Sequence, residues 1–289
     1  MLGNYEDAEE LVQETFLRAW RKRDTFAGGV GLRAWLYKIA TNACLDAIRA
    51  RKRRVPSLGS FAEVPWLTPY PDRLLDEVAP SDEQPDAVVV TRESIELTFI
   101  AVIQLLPPKQ RAAVILRDVL EWSAKETAEL METSVAAANS ALQRGRATLE
   151  ERLPAQRAQA RTTDLSQEEQ ELLAAFIDTH ERGDTEAAVA VMHEHIRVTM
   201  PPYPSVYDGI EALRPLQERA FNSGMGEWKL VATRANRMPT AASYLREPGS
   251  DVFRAFKFDV LRMQDGKIRE ATTFGPELFA AFGLPTEVS

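Results

Sequence analysis

A chain of 289 residues that is 45% hydrophobic and 27% charged has room for two or three small domains, each with its own core. No apolar run approaches the roughly 20 residues a membrane-spanning helix needs, no secretory leader is evident, and the single cysteine, Cys44, excludes an internal disulfide and a cysteine-rich zinc site, which fits a reducing cytoplasm. A net charge of −8 is the wrong sign for a protein that grips duplex DNA by itself, but it is unevenly spread: residues 32–54 hold seven cations and one acid, whereas residues 164–289 hold 20 acids and 13 cations.

The chain opens on a predicted helix, Asp7 to Trp20. Leu11, Val12, Thr15, Phe16, Ala19 and Trp20 follow helical spacing and are expected to pack, leaving Asp7, Glu10, Gln13, Glu14 and Arg18 on an outer face free to dock. After a turn around Gly28–Gly31, a second helix is expected from Leu32 to about Arg54. It carries Arg33, Trp35, Tyr37, Lys38, Asn42, Asp46 and Arg49 and ends in Arg51-Lys52-Arg53-Arg54. Aromatic stacking plus cations along a backbone is how single-stranded DNA is held, and an Asn or Asp can read the edge of an unpaired base. The same spacing of Trp35, Leu36, Ile39, Ala43 and Ile48 also describes a core stripe, so Trp35 is expected to be at least partly buried. The basic run equally suits a solvated helix C-terminus.

Residues 55–92 read as an extended, acidic, Pro-rich linker: Pro56, Pro65, Pro69, Pro71 and Pro80 break long helices, and Asp72, Asp76, Glu77, Asp82 and Glu83 disfavour a core. Residues 93–153 follow. Leu105-Leu106-Pro107-Pro108 ends one helix and starts another, Lys109 to Val119. Ser123-Ala124-Lys125-Glu126 is a capping box that starts a short helix to Met131. Glu132-Thr133 forms the turn, Ser134 caps again, and Val135, Leu142 and Leu149 recur every seven residues along a longer helix. Helix, tight turn, helix describes either a DNA-reading unit or an ordinary αα-hairpin. In the former, Lys125, Ser134, Asn139, Ser140 and Gln143 lie where a recognition helix meets its site, Asn139 and Gln143 being able to reach bases, while Arg144 and Arg146 suit phosphates.

Taken together, Asp7 to Trp20, Phe26, Leu32 to Asn42 and Asp46 to Arg49 resemble region 2 of an extracytoplasmic-function (ECF) sigma factor of bacterial RNA polymerase, and Leu105 to Leu153 resembles region 4 of that family. The resemblance implies two DNA-reading regions, residues 1–54 and 93–153, and as partners promoter DNA and core polymerase at its β′ clamp and β flap. It places Asp7, Glu10, Gln13, Glu14, Arg18 and Trp20 in the polymerase-docking stretch. Arg33, Trp35, Lys38, Asn42, Asp46, Arg49, Arg51 and Arg53 fall where the family captures the melted −10 element, and Lys125 and the stretch from Ser134 to Arg146 fall where it reads the −35 element. Three departures stand out. Family members carry a further helix before the segment matching Met1–Asn4, so the chain is expected to start upstream or to lack part of its region 2 scaffold. Glu132 stands where the family often has Gly, in a turn that can require positive φ. Finally, Ala136-Ala137-Ala138 leaves the recognition helix few long side chains, which predicts weak −35 discrimination.

A second linker, residues 154–164, leads to a domain of different grammar over residues 165–289. Helices are expected at Ser166–Glu181, Thr185–His193 and Gly209–Phe221, with strands at Ile196–Thr199, Trp228–Arg234, Ala241–Arg246, Phe253–Met263 and Lys267–Phe274; Asp265-Gly266 supplies a hairpin turn. Helices followed by a meander make an α+β cone. It resembles the SnoaL-like, ketosteroid-isomerase-like (cystatin-like) fold found at the C-termini of some sigma factors. Such cones can hold a small ligand, for which Asp178, His180, Tyr203 and Asp259 are the pocket candidates; His193, His195 and Asp208 are weaker ones. None forms a catalytic constellation, so turnover is not expected, and no cofactor or metal site is evident.

The whole chain is therefore expected to be a multidomain protein, all-α in its first half and α+β in its second. Its expected role is a cytoplasmic ECF sigma factor that directs core polymerase to promoters under control in cis by its C-terminal domain. A ligand-responsive helix-turn-helix regulator working without polymerase is the alternative.

Overall fold

The computed structural model describes residues 1–26, 31–51, 64, 66–77, 97–152 and 164–289. They fall into two units, one holding residues 1–51, 66–68 and 97–152, the other holding residues 64, 69–77 and 164–289. The helices before the first strand are α1 (Tyr5–Arg21), α2 (Leu32–Arg51), α3 (Asp72–Glu77), α4 (Leu97–Ile103), α5 (Pro108–Val114), α6 (Ala124–Leu130), α7 (Val135–Arg152), α8 (Gln167–Glu181) and α9 (Thr185–Ala190). Then come β1 (Met192–Thr199), β2 (Val206–Asp208), α10 (Ile210–Asn222), β3 (Glu227–Ala235), β4 (Met238–Arg246), β5 (Phe253–Gln264), β6 (Lys267–Phe274) and β7 (Glu287–Val288). Expected features at residues 27–30, 52–63, 65, 78–96 and 153–163 lie outside the described residues, among them the Gly-rich turn and the Lys52–Arg54 run with Arg53.

In the first unit, the Asn4 side chain caps α1 by accepting from the amide of Asp7. The helix buries only a narrow stripe, Thr15 and Ala19, against α2, where Ile39, Thr41 and Ala43 are buried. A short stretch of the first linker is pinned to this start: Thr68 donates its amide to Gly3 O at 3.0 Å, and its hydroxyl accepts from the amide of Tyr5 at 2.7 Å. The helix expected to run unbroken to Val119 instead ends at Val114 and continues as a wider π turn, Ile115–Val119, closed by Leu120 N donating to Ile115 O at 2.9 Å. The Ser123/Glu126 capping box forms with both of its bonds. α7 crosses α5 so closely that a Cβ on Gly145 would lie 2.7 Å from Val114 Cγ2. Arg111, on α5, is buried and donates to the Gln104 carbonyl at 2.6 Å and its side-chain oxygen at 2.7 Å, tying down the end of α4. Burial lowers its pKa to about 10, so it stays charged at neutral pH.

In the second unit, a seven-stranded sheet has the order β2-β1-β6-β5-β4-β3, with β7 on β5; β1 and β6 are parallel and every other pair is antiparallel. Two tight hairpins set its register. Asp265-Gly266 turns β5 into β6 with φ of +51° and +69°, and Asn236-Arg237 turns β3 into β4 with φ of +54° and +59°, the latter not evident in the sequence. Leu173 and Phe176 of α8, Leu213 of α10, and Ile196, Trp228, Leu230, Leu261 and Ile268 from the strands make the core. α9 stops at Ala190 rather than His193, because Met192 already belongs to β1 and pairs with Ile268. The first linker also departs from an extended tether here. Asp72, only 4% exposed, starts α3, accepts from the amide of Arg237 at 2.8 Å, and faces the guanidinium groups of Arg234 and Arg237 at 3.6 and 3.7 Å. The Tyr70 amide donates to the Asn236 side chain at 2.7 Å.

Candidate nucleic-acid interfaces and the cone cavity

On α2, Trp35 is half-buried, its ring 5.3 Å from that of Phe26, as a side chain that is partly core must be. It lines a cavity of about 290 Å³ with Arg18, Lys22, Thr25, Lys38, Asn42 and Glu132. Three of the residues expected at the −10 element, Trp35, Lys38 and Asn42, are thus brought together, with cations from α1 beside them. Asp46 is engaged elsewhere: it pairs with Arg49 at 2.5 Å and Arg18 at 3.3 Å, fastening α1 to α2. The hydrogen bonds that Arg18 donates to the carboxylates of Glu14 and then Asp46 hold its pKa above the ordinary value. Arg33 is exposed and lies over the Tyr37 ring at 5.6 Å. The side chain of Arg51 lies outside the described set.

This face of α2 meets the helix-turn-helix within the same unit. The Tyr37 and Trp122 rings are 5.5 Å apart, and Glu132 sits 3.6 Å from Lys38 at the cavity wall. Glu132 has φ +50°, so the turn does need a left-handed residue.

The outer face of α1 departs from expectation. Glu10 and Gln13 are exposed and Asp7, Glu14 and Arg18 half-buried, but three side chains expected to pack are open to solvent: Val12 at 55%, Phe16 at 61% and Trp20 at 69%. The reason is that α1 is covered along the Thr15–Ala19 stripe while the apolar arc is wider than that. Arg23 covers part of Trp20, its guanidinium 4.7 Å from the ring.

The recognition face of α7 is open. Ser134, Asn139, Ser140, Gln143 and Arg144 are exposed, as is Lys125 at the start of α6, and the Ser134 hydroxyl accepts from the amide of Ala137 at 3.1 Å. Leu142 and Leu149 are buried, but Val135, expected on the same face, is exposed at the first residue of α7. Arg146 is also exposed and donates to Asp118 through two bonds of 2.5 and 3.0 Å.

In the cone, α8 and α10 close a cavity of about 320 Å³ over the sheet. His180 and Asp259 line it, as expected. Asp178 and Tyr203 do not: Asp178 points outward to Arg182 at 2.8 Å, and Tyr203 is exposed on the β1–β2 loop. His193, His195 and Asp208 also lie outside it. Sequence reasoning missed Gln217, Lys257 and Thr273. Lys257 was legible, since alternation along β5 puts opposite charges at 257 and 259 on one face, whose other residues, Phe253, Ala255, Leu261 and Met263, are apolar. Lys257 Nζ lies 2.7 Å from Asp259 Oδ2, and the Thr273 hydroxyl donates to Asp259 Oδ1 at 2.7 Å. Burial, reinforced by Lys257, lowers the His180 pKa to about 3, so the ring is neutral.

An open helix-turn-helix face, beside a helix that groups aromatic, amide and cationic side chains round one cavity, defines a DNA-binding transcription protein. The sigma-70 region 2 model matches residues 1–54 and the sigma-70 region 4 model matches residues 97–149. The ECF RNA polymerase sigma factor SigG of Mycobacterium tuberculosis (strain ATCC 25618 / H37Rv) is 39% identical, covering 99% of this chain and 79% of its own length. ECF RNA polymerase sigma factor SigJ of the same strain is 30% identical over 93% of this chain and 83% of its own. The crystal structure of Mycobacterium tuberculosis SigJ covers 98% of this chain and 92% of its own with a TM-score of 0.60 at 22% identity, a likeness of fold. The chain belongs to the ECF RNA polymerase sigma factors.

Proposed function

We propose that this sigma factor works in the cytoplasm, docks on core polymerase through α1, captures the melted −10 strand at the Trp35–Lys38–Asn42 cavity and reads the −35 element with Asn139, Gln143 and Arg144, under control in cis by the cone. The observation that carries the control is the seating of the linker. Tyr70 and Asp72 lie between regions 2 and 4 in the chain, yet they are bonded to the β3–β4 turn of the cone. A linker so held is unavailable to polymerase, and a covalently tethered contact of this kind acts at high effective concentration. Glu132 adds a separate restraint within the first unit, because a carboxylate 3.6 Å from Lys38 occupies ground a DNA phosphate would take. Polymerase binding would have to displace both.

Promoter-specific transcription with bacterial core polymerase tests the proposal, using the full chain, Asp72→Ala, and a chain ending at Asp164. Output that rises, or polymerase affinity that changes, in the two altered chains supports control through the linker. Equal output from all three removes cis control. Footprinting of duplex DNA by the chain alone, with no polymerase-dependent transcript, would favour a regulator that acts without polymerase.

A further inference from the structure

The cavity in the cone has polar groups that the sigma activity does not use. Its walls are Phe176, Met192, Leu213, Leu216, Phe221 and Trp228. At about 320 Å³ it has roughly twice the ~150 Å³ that admits one benzene ring, enough for about two fused rings. His180 is only 5% exposed, and its ring is held between Phe176 at 3.9 Å and the edge of Phe221 at 5.3 Å. Nδ1 lies 2.8 Å from the Phe176 carbonyl, which can only accept, so Nδ1 carries the proton and Nε2 is left as an acceptor on a ring that lines the cavity. Gln217, 6% exposed, is placed likewise. Its Nε2 donates toward Met192 Sδ at 3.7 Å, and its Oε1 is buried with no hydrogen-bond partner. A thioether accepts but does not donate, which fixes that orientation of the amide. Both spare groups are therefore acceptors, and a guest must bring the donor.

The guest must also be uncharged. Lys257 and Asp259 neutralise each other at 2.7 Å, and Arg219, the other charged group of the lining, is exposed. A charged guest would lose its water with no buried counter-charge to replace it. We propose that the cone is a receptor for an uncharged, largely apolar molecule of about two fused rings that bears a hydroxyl or N–H, which donates to Nε2 of His180. The low His180 pKa accords with this, since a protonated ring would offer no acceptor.

Isothermal titration of the full chain with 2-naphthol, 2-methoxynaphthalene and 2-naphthoate tests the proposal. The naphthol should bind about two- to tenfold more tightly than the methoxy compound, which matches its rings but lacks the donor, and the naphthoate should bind more weakly than the naphthol. In His180→Phe the advantage of naphthol over the methoxy compound should vanish while the methoxy compound still binds, a result that also shows the cavity intact. Leu216→Trp, which fills the cavity, should abolish binding of both. Absence of binding by the wild-type chain, equal affinities for naphthol and its methyl ether, a naphthoate that binds best, or an advantage that survives in His180→Phe would each overturn it. Should His180→Phe fail to fold, the wild-type ranking still decides.

Discussion

Glu132 shows how a single backbone angle and a single charge can meet in one residue. At φ +50° its Cβ is strained by about 1 kcal/mol, which glycine would relieve, while its exposed pair with Lys38 contributes little. Glu132→Gly is therefore expected to raise stability by up to about 1 kcal/mol, seen as a higher Tm, and to increase DNA binding by the free protein; a lower Tm would show that the turn is unstrained. His180 is the other residue with a sharp consequence. Its pKa is about 3 in the fold against 6.5 in the unfolded chain, so between those values only the unfolded chain takes up the proton. The stability this neutral ring contributes is complete above pH 6.5 and drains as pH falls toward 3. Thermal unfolding across pH 6.5 to 4.5 should accordingly show a steeper loss in the wild-type chain than in His180→Phe. Parallel slopes would mean that His180 titrates normally.

Among the elements, α7 is held close against α5, whereas α1 leaves much of its apolar arc open. Gly145 lets α7 approach α5 closely: a methyl there would meet Val114 Cγ2 at 2.7 Å, and Val114 is fully buried and cannot swing away. Alanine normally favours a helix by about 1 kcal/mol over glycine, but overpacking costs about 1–3 kcal/mol, so Gly145→Ala should be destabilising by about 1 kcal/mol. A rise in Tm would show that the crossing can relax. On α1, Val12, Phe16 and Trp20 form an exposed apolar band. Such bands mark interaction surfaces, and aromatic anchors carry much of the binding energy. Phe16→Ala should leave the unfolding free energy within about 0.5 kcal/mol of wild type and weaken core-polymerase binding by fivefold or more. Unchanged affinity in a pull-down titration would move the docking surface back to the polar face of Glu10 and Gln13.

At the scale of the whole molecule, a linker segment that belongs in sequence to the first half of the chain is built into the fold of the second. Asp72 is buried between Arg234 and Arg237, and removing one partner of a buried charge cluster costs roughly 3–5 kcal/mol. Asp72→Ala should lower the stability of the cone by an amount of that order and make the linker more sensitive to limited proteolysis. If cleavage and unfolding are unchanged, the seating contributes nothing and cis control loses its physical basis.

What could be read from the sequence and what could not divide along one line. The Ser123/Glu126 capping box, the Asp265-Gly266 hairpin, the alternation of β5 and the positive φ at Glu132 were legible because each is set by residues within a few positions of one another. So were the family and the order of its two regions, which rest on local strings of residues. The tertiary structure alone decided which arc of α1 is covered, that Arg146 is paired with Asp118, that Asp178 and Tyr203 face away from the cavity, and that Asp72 belongs to the cone. Each of these depends on which distant surface arrives, and periodicity marks only that a face is apolar or charged. The His180 acceptor lies between the two cases: the residue was visible in the sequence, but its proton is placed by a carbonyl of its own helix, α8, and its neutrality by burial against Phe221 of α10.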